Sequence, residues 1–207
     1  MGRVVSDYSD VIVMRHYEPD SSKLLSTYAS VPVINAGDGD RLHPTQALLD
    51  LYTIVSEKGD LEGLTIGLAG DLKYSRTIHS LMNLLKRWDI RFVFVSQSEL
   101  GLPDSVLSEL SEKGSSFEVA DSLEAVVDRL DVLYMTRLQR ERQSKDLPIK
   151  HIISADMMRC AKKDLLLLHP LPRVGEILSE VDHLPQAGYF KQAQNGLYLR
   201  MALLKLI

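Results

Sequence analysis

Short apolar runs alternate with helix-like stretches along most of this chain, and no other feature constrains the fold as strongly. Five runs have the length and composition of buried parallel strands: 64–70, 91–96, 117–120, 131–136 and 164–169. Helix-like stretches separate most of them, and helical crossovers are the usual links between parallel strands. We therefore predict an α/β fold with a doubly wound parallel sheet, similar to a Rossmann domain.

The remaining elements follow from local patterns. Helices are predicted over 75–88, 104–113, 122–130, 155–162 and from 189 to the end. Ser122 has the character of an N-cap, and a strand-like piece is expected over 151–154. Cys160 lies on a predicted helix and is expected in the core rather than as a nucleophile.

The front of the chain forms a smaller unit. Two more strand-like runs, 10–15 and 31–35, flank a helical stretch over 21–29 and predict a β-α-β piece. A helix from Pro44 to Lys58 then ends near Gly59, a plausible C-cap. We therefore expect a first unit over 1–59, an α/β domain over 60–187 and a terminal helix over 188–207.

Composition excludes several classes of protein. The chain has a net charge of −4, which gives no reason to expect nucleic acid as a partner. It contains no apolar run long enough to span a membrane and no apolar signal region at its start, so a cytoplasmic protein is expected. A single cysteine excludes an internal disulfide framework and argues against a cysteine-rich metal site.

The segment from Asn35 to Asp50, NAGDGDRLHPTQALLD, holds the first candidate site. His43 and Gln46 are three residues apart at the start of a predicted helix, so one face of its first turn can carry both. An imidazole and an amide aimed at one point could polarise a carbonyl group. The alternative is that His43 is a cap-like residue and Gln46 a solvated helix residue.

Polar residues also follow four of the predicted strands: Arg15-His16, 71–76, 137–139 and His169-Pro170. The carboxyl ends of parallel strands share one edge of a sheet, so these side chains are expected to converge. Three arginines there predict a cationic pocket for a small polyanion with carboxylate or phosphate groups. The alternative is that Arg76 and Arg137 form ordinary ion pairs, with Asp71 or Glu141 as partners.

Other chemistries lack support in the sequence. Neither the GxGxxG nor the GxxxxGK[ST] nucleotide signature is present, and Ser75 lacks a GxSxG elbow. The histidines have no metal-ligand spacing, so no metal or cofactor is expected. Catalysis by positioning and charge stabilisation remains.

Seven motifs together resemble one family. VIVMRH, PVINAGDG, HPTQALLDLYTI, GDLKYSRTIHSL, DVLYMTRLQRER, HPLPRVGEI and YFKQAQNGLYLRMALL closely resemble, in order and spacing, the aspartate carbamoyltransferases. That resemblance implies transfer of the carbamoyl group of carbamoyl phosphate to L-aspartate in pyrimidine biosynthesis, without a cofactor. It also implies a homo-oligomer, a trimer in the family, when the whole carbamoyl phosphate domain is present. The related ornithine enzymes resemble the chain less, because they lack DLKYSRT and carry HCLP instead of HPLP.

The resemblance implies three groups of site residues. Catalytic contacts with carbamoyl phosphate are expected from Arg15, His43 and Gln46. Aspartate contacts are expected from the side chains of Arg76, Arg137 and Gln139, with ligand contacts from the backbone at Leu171 and Pro172. Glu141 and Arg142 are expected to act in domain closure.

The resemblance covers only the end of the family's carbamoyl phosphate domain, so residues 1–59 are interpreted as its last part. Its phosphate-binding loop has no counterpart here, and we expect impaired turnover by this chain alone. The last helix would then expose the apolar residues Leu197, Met201, Leu204 and Leu206. The alternative function is a non-catalytic subunit that binds dicarboxylates or assembles with a relative.

Overall fold

A computed structural model describes residues 1–39, 42–143 and 147–207 of the chain. Seven helices in these ranges are α1 (Gly2–Ser6), α2 (Ser21–Ser26), α3 (Pro44–Lys58), α4 (Arg76–Leu85), α5 (Asp104–Glu112), α6 (Ala155–Cys160) and α7 (Tyr189–Leu206). Seven strands are β1 (Ile12–His16), β2 (Val33–Asp38), β3 (Thr65–Ala69), β4 (Arg91–Val95), β5 (Phe117–Ala120), β6 (Val132–Met135) and β7 (Leu166–Leu168). None of the helices in the described ranges is long and apolar enough to cross a membrane.

Five strands form one sheet in the order β5-β4-β3-β6-β7, and every neighbouring pair is parallel. The chain leaves β3 first toward one edge, through β4 and β5, and then returns to the other side through β6 and β7. The predicted doubly wound α/β fold is therefore confirmed. The change of direction lies between β3 and β6, the place where open α/β sheets bind ligands.

Helices cover both faces of this sheet. On one face, side chains of α3, α4 and α5 pack on β3, β4 and β6 around the fully buried Ile66, Phe92 and Tyr134. On the other face, Met157 and Met158 of α6 and Tyr189 of α7 pack with side chains of β4, β6 and β7. Because both faces are covered, the strands are continuous apolar runs instead of alternating ones.

The predicted helix over 122–130 is wrong. Only a single 3₁₀ turn, Val127–Arg129, forms there, and Ser122 accepts an N–H bond from Ala125 at 3.4 Å instead of capping a helix. Leu123, Val126, Val127 and Leu130 are buried against the sheet, but Val126 has a φ of −134° and interrupts helical geometry. Adjacent valines disfavour a helix because their β-branched side chains crowd the preceding turn.

Two smaller expectations also fail. The stretch 151–154 contributes one isolated bridge, from Ile153 to Ile177, and is not a strand of the sheet. Cys160 is exposed at the end of α6 instead of lying in the core.

The front of the chain folds as β1-α2-β2, with its two strands paired in parallel. Helix α3 joins this unit to the main sheet. It begins at Pro44 and ends at Lys58, and the residue after it is the C-cap Gly59, whose φ is +78°. Helix α7 packs along α3, while Leu197, Met201, Leu204 and Leu206 are exposed on its outer side, as expected. The division at residues 59 and 187 stays a prediction.

Candidate active site

The ends of β3, β6 and β7 meet the first turn of α3 around a cavity of about 240 Å³. It is lined by Arg15, His43, Gln46, Ser75, Arg76, Thr77, Thr136, Arg137, Gln139, His169, Pro170, Leu171 and Pro172. The structure thus brings together all eight residues predicted to act in catalysis or substrate binding. Glu141 lines an adjoining surface depression with Arg15 and Arg76, and the side chain of Arg142 lies outside the described part of the chain.

The cavity depends on a close approach of two strand ends. Gly70, which follows β3, has a φ of +100°, and a Cβ atom there would lie 2.2 Å from the carbonyl oxygen of Thr136. Only glycine permits both the conformation and the contact. The loop after β3 can therefore turn across the end of β6 and place Arg76 at the start of α4, beside Arg137.

His43 stands at the N-terminal end of α3, where its backbone N–H donates to Ser80 Oγ at 2.8 Å. Burial and, to a smaller extent, the positive charges of Arg76, Arg15 and Arg200 together lower the pKa of its imidazole from 6.5 to about 4. The ring is therefore neutral at pH 7. A neutral imidazole has one N–H donor, which can bond to an oxygen without transferring a proton to it.

Gln46 is buried, so it is not the solvated helix residue of the alternative interpretation. Its Nε2 donates to Asp50 Oδ1 at 2.8 Å, one turn further along α3. That contact uses one N–H of the NH₂ group and turns this group toward Asp50, so Oε1, an acceptor, points away from Asp50. The predicted role of Gln46 at a carbonyl group stays a prediction, and this orientation also makes Oε1 available to an N–H group of a ligand.

Both arginines of the predicted carboxylate site have protein contacts. Arg137 forms a two-pronged pair with Glu141, with Nη1–Oε2 at 3.0 Å and Nη2–Oε1 at 2.6 Å. Arg137 thus forms the ion pair with Glu141 that the alternative expected, and its guanidinium holds this carboxylate in the geometry that a ligand carboxylate would use. Arg76 Nη1 donates to the carbonyl oxygen of Gly39 at 3.0 Å.

The buried carboxylate of Asp71 joins the loops that carry these arginines. Its Oδ1 accepts the backbone N–H of Tyr74 at 2.9 Å, and its Oδ2 accepts the N–H of Gln139 and the side-chain amide of Gln143, both at 3.0 Å. Asp71 therefore fixes the end of β3 relative to the end of β6, and it is not an ion-pair partner of Arg76 in any described contact.

The loop after β7 is held by a buried pair. His169 Nε2 lies 2.7 Å from Glu176 Oε1, and His169 Nδ1 accepts the backbone N–H of Leu171 at 2.9 Å. Glu176 Oε2 also accepts the N–H of Val174 at 2.9 Å. Leu171 has a φ of +45°, an uncommon conformation for leucine that these bonds sustain. The loop thereby presents its backbone to the cavity.

Sequence reasoning missed two lining residues, Thr77 and Thr136. Thr77 directly follows Arg76 in the DLKYSRT motif, so the motif itself was a signal for it. Thr136 ends a strand without any distinctive local pattern. Among the described residues, no group of three or more histidine, cysteine, aspartate or glutamate side chains has a metal-binding arrangement.

Two family models match the chain. Residues 62–207 match the Asp/Orn binding domain of aspartate/ornithine carbamoyltransferase, and residues 1–56 match the carbamoyl-P binding domain. Aspartate carbamoyltransferase catalytic subunits from Chromobacterium violaceum and Lachnoclostridium phytofermentans are 50% and 49% identical to it, in each case over 99% of this chain. The chain spans 69% of the length of each.

Solved structures give the same family. The catalytic subunit of M. jannaschii aspartate transcarbamoylase superposes with a TM-score of 0.91 at 45% identity, covering 99% of this chain and 68% of that one. Trypanosoma cruzi aspartate transcarbamoylase, in complex with aspartate and phosphate, superposes with a TM-score of 0.89 at 43% identity, covering 98% and 66%. None of these relatives is described as a non-catalytic binding subunit. The chain belongs to the aspartate carbamoyltransferase family.

Proposed function

We propose that the cavity at the carboxyl edge of the sheet is the site where a carbamoyl group passes from carbamoyl phosphate to L-aspartate. The observation that carries this proposal is the convergence of three arginines with a neutral imidazole and an amide acceptor around one cavity. Carbamoyl phosphate and aspartate together bring a phosphate and two carboxylates. Guanidinium groups bind such anions through paired hydrogen bonds.

Aspartate would be held by Arg76, Arg137 and Gln139. The two-pronged contact between Arg137 and Glu141 supports this role, since it presents the guanidinium edge in the orientation that a substrate carboxylate needs. Glu141 is half exposed, so its carboxylate can move when a ligand competes for Arg137. The proposed part of Glu141 and Arg142 in domain closure rests on the family resemblance.

Carbamoyl phosphate would be held by Arg15, His43 and Gln46. The neutral imidazole of His43 donates to the carbamoyl oxygen, and Oε1 of Gln46 accepts from the carbamoyl NH₂ group. Arg15 stabilises the charge on the phosphate side. The backbone at Leu171 and Pro172, which also line the cavity, would contact both ligands.

The reaction then needs no covalent enzyme intermediate. The unprotonated amine of aspartate forms a bond to the carbamoyl carbon, the bond from that carbon to the phosphate oxygen breaks, and phosphate leaves with the electron pair. The nitrogen loses one proton, which an oxygen of the departing phosphate accepts. Preorganised donors near the developing negative charge are typically worth a factor of about 10²–10³ in rate each.

The test is a titration with succinate, a dicarboxylate that lacks the reactive amine, followed by NMR. Succinate should bind in preference to butyrate, and Arg137→Ala should weaken succinate by about 1.5–3 kcal/mol, the range for hydrogen bonds to charged groups. Arg76→Ala should also weaken it. Arg137→Lys should recover part of the loss, because lysine cannot make the paired contact.

The matched control is Arg87→Ala, at an exposed arginine just beyond the opposite end of α4. If wild type binds succinate and neither site variant weakens it more than this control, the edge is not the aspartate site.

We also propose a homo-oligomeric, cytoplasmic protein, a trimer by family resemblance. The exposed apolar side of α7 supports self-association, since it offers surface for burial. Light scattering that gives the monomer mass at every concentration would count against the oligomer.

A further inference from the structure

A buried polar network lies behind the cavity, and its three central residues are not among the residues that line the cavity. Its centre is Asp50 on α3, whose partners are Tyr134 on β6 and Gln192 on α7. Asp50 and Tyr134 are fully buried, and Gln192 is 1% exposed. Asp50 Oδ1 accepts from Gln46 Nε2 at 2.8 Å and from Gln192 Nε2 at 2.6 Å. Asp50 Oδ2 accepts the hydroxyl of Tyr134 at 2.8 Å.

The direction of these bonds is set by a group that cannot reverse. The backbone N–H of His169 points at Oε1 of Gln192 over 2.8 Å, and a backbone N–H is only ever a donor. The oxygen of the Gln192 amide must therefore face His169, and its NH₂ group must face Asp50. Asp50 Oδ1 is consequently an acceptor.

The same direction passes on to Gln46. An amide that meets an accepting oxygen must present its NH₂ group, so Gln46 Oε1 is turned away from Asp50, at the end of the amide that remains for the cavity. Protonation of Asp50 on Oδ2 leaves the orientation of the Gln46 amide unchanged. In that state Oδ2 donates to the Tyr134 hydroxyl, which can act as an acceptor as well as a donor. A freely rotating glutamine amide would offer donor and acceptor about equally.

We propose that Asp50 is a positioning residue for Gln46. The His169 backbone N–H fixes the orientation of the Gln192 amide, Gln192 donates to Asp50, and Asp50 in turn accepts from the NH₂ group of Gln46. Gln46 is thereby an obligate acceptor in the cavity. The consequence is specificity for a carbamoyl group over an acyl group of the same shape. An acyl methyl offers no hydrogen to Oε1, which would then lose its hydrogen-bond partner when the ligand displaces water. This inference rests on the proposed function.

The probes are two stable phosphonates of matched shape. Phosphonoacetamide carries an NH₂ group where 2-oxopropylphosphonate carries a methyl, and the two are otherwise alike. One hydrogen bond at a desolvated site corresponds to a preference of roughly tenfold. Wild type should therefore bind the amide about tenfold more tightly than the ketone in an NMR titration of the full chain.

Two substitutions at Asp50 separate positioning from packing. Asp50→Leu keeps approximate shape and removes the acceptor, so the preference should fall to within about twofold while the ketone binds as in wild type. Asp50→Asn keeps an oxygen for the two amides and can donate to Tyr134, so it should retain the preference. The proposal is overturned if Asp50→Leu prefers phosphonoacetamide over 2-oxopropylphosphonate as strongly as wild type does. It is also overturned if wild type shows no such preference.

A measurement on wild type covers the case in which Asp50→Leu does not fold. The side-chain NH₂ protons of Gln46 and Gln192 should show a mutual nuclear Overhauser effect, because both groups converge on one oxygen. A contact between the Gln46 NH₂ protons and bound phosphonoacetamide, without one to Gln192, overturns the proposal. Succinate binding does not involve Gln46, so failure of the succinate experiment would refute the proposed function. If succinate binds as expected but the preference for phosphonoacetamide does not depend on Asp50, only the positioning role is refuted.

Discussion

Asp50 should make the stability of the fold depend on pH in a way that a single substitution removes. Burial raises the pKa of its carboxyl from 3.8 to about 7, although hydrogen bonds from Gln192, Tyr134 and Gln46 and the charge of Arg200 oppose the rise. The folded chain therefore binds this proton more tightly than the unfolded chain does. The contribution is fully present below about pH 4 and is lost as pH rises through about 7.

The size of the effect follows from the separation of the two pKa values. About three pH units at roughly 1.36 kcal/mol each give on the order of 4 kcal/mol. Asparagine cannot titrate, so Asp50→Asn should gain stability relative to wild type by about that amount between pH 4 and pH 8. The gain is a large part of a typical total free energy of unfolding of about 5–15 kcal/mol.

The assay is urea unfolding of wild type and Asp50→Asn at several pH values, with the difference in free energy of unfolding plotted against pH. Asp121→Asn, at an exposed aspartate, is the control and should show no comparable slope. A difference between wild type and Asp50→Asn that stays constant from pH 4 to pH 8 would refute the reasoning, because Asp50 would then titrate alike in both states.

Two further predictions concern single side chains. The imidazole of His43 should titrate with a midpoint near pH 4 in NMR spectra of the folded chain, and a midpoint near the ordinary 6.5 would show that it is neither buried nor surrounded by arginines. Cys160 should react with a thiol reagent in the folded chain, because it is exposed; reaction only after unfolding would contradict this.

The sheet and the cavity were accessible to sequence reasoning because their signals are local. Each buried strand is a short apolar run, and the rule that parallel strands end at one edge was enough to gather Arg76, Arg137 and His169 into one place. The predicted bounds of helix α3, Pro44 to Lys58, are those of the structure, because a proline and a glycine mark its two ends. The roles of the lining residues remain predictions.

The failures have a common cause in contacts that are distant along the chain. Asp50 lies one helical turn from Gln46, but Tyr134 is 84 residues away and Gln192 is 142 residues away. Without those partners, the direction of the Gln46 amide could not be derived. The segment 122–130 failed for a related reason, since its apolar spacing fits both a helix and a loop packed on a sheet.

The central claim is that the carboxylate and carbamoyl phosphate sides share one cavity, and a ligand that carries both groups tests it most directly. N-(phosphonacetyl)-L-aspartate, which the Trypanosoma cruzi relative binds, joins a phosphonate to a dicarboxylate. Calorimetry should show that it binds this chain more tightly than either succinate or phosphonoacetamide, and NMR should show shifts in the side-chain amides of both Gln46 and Gln139. Binding no tighter than succinate, with shifts confined to one of the two amides, would contradict the account.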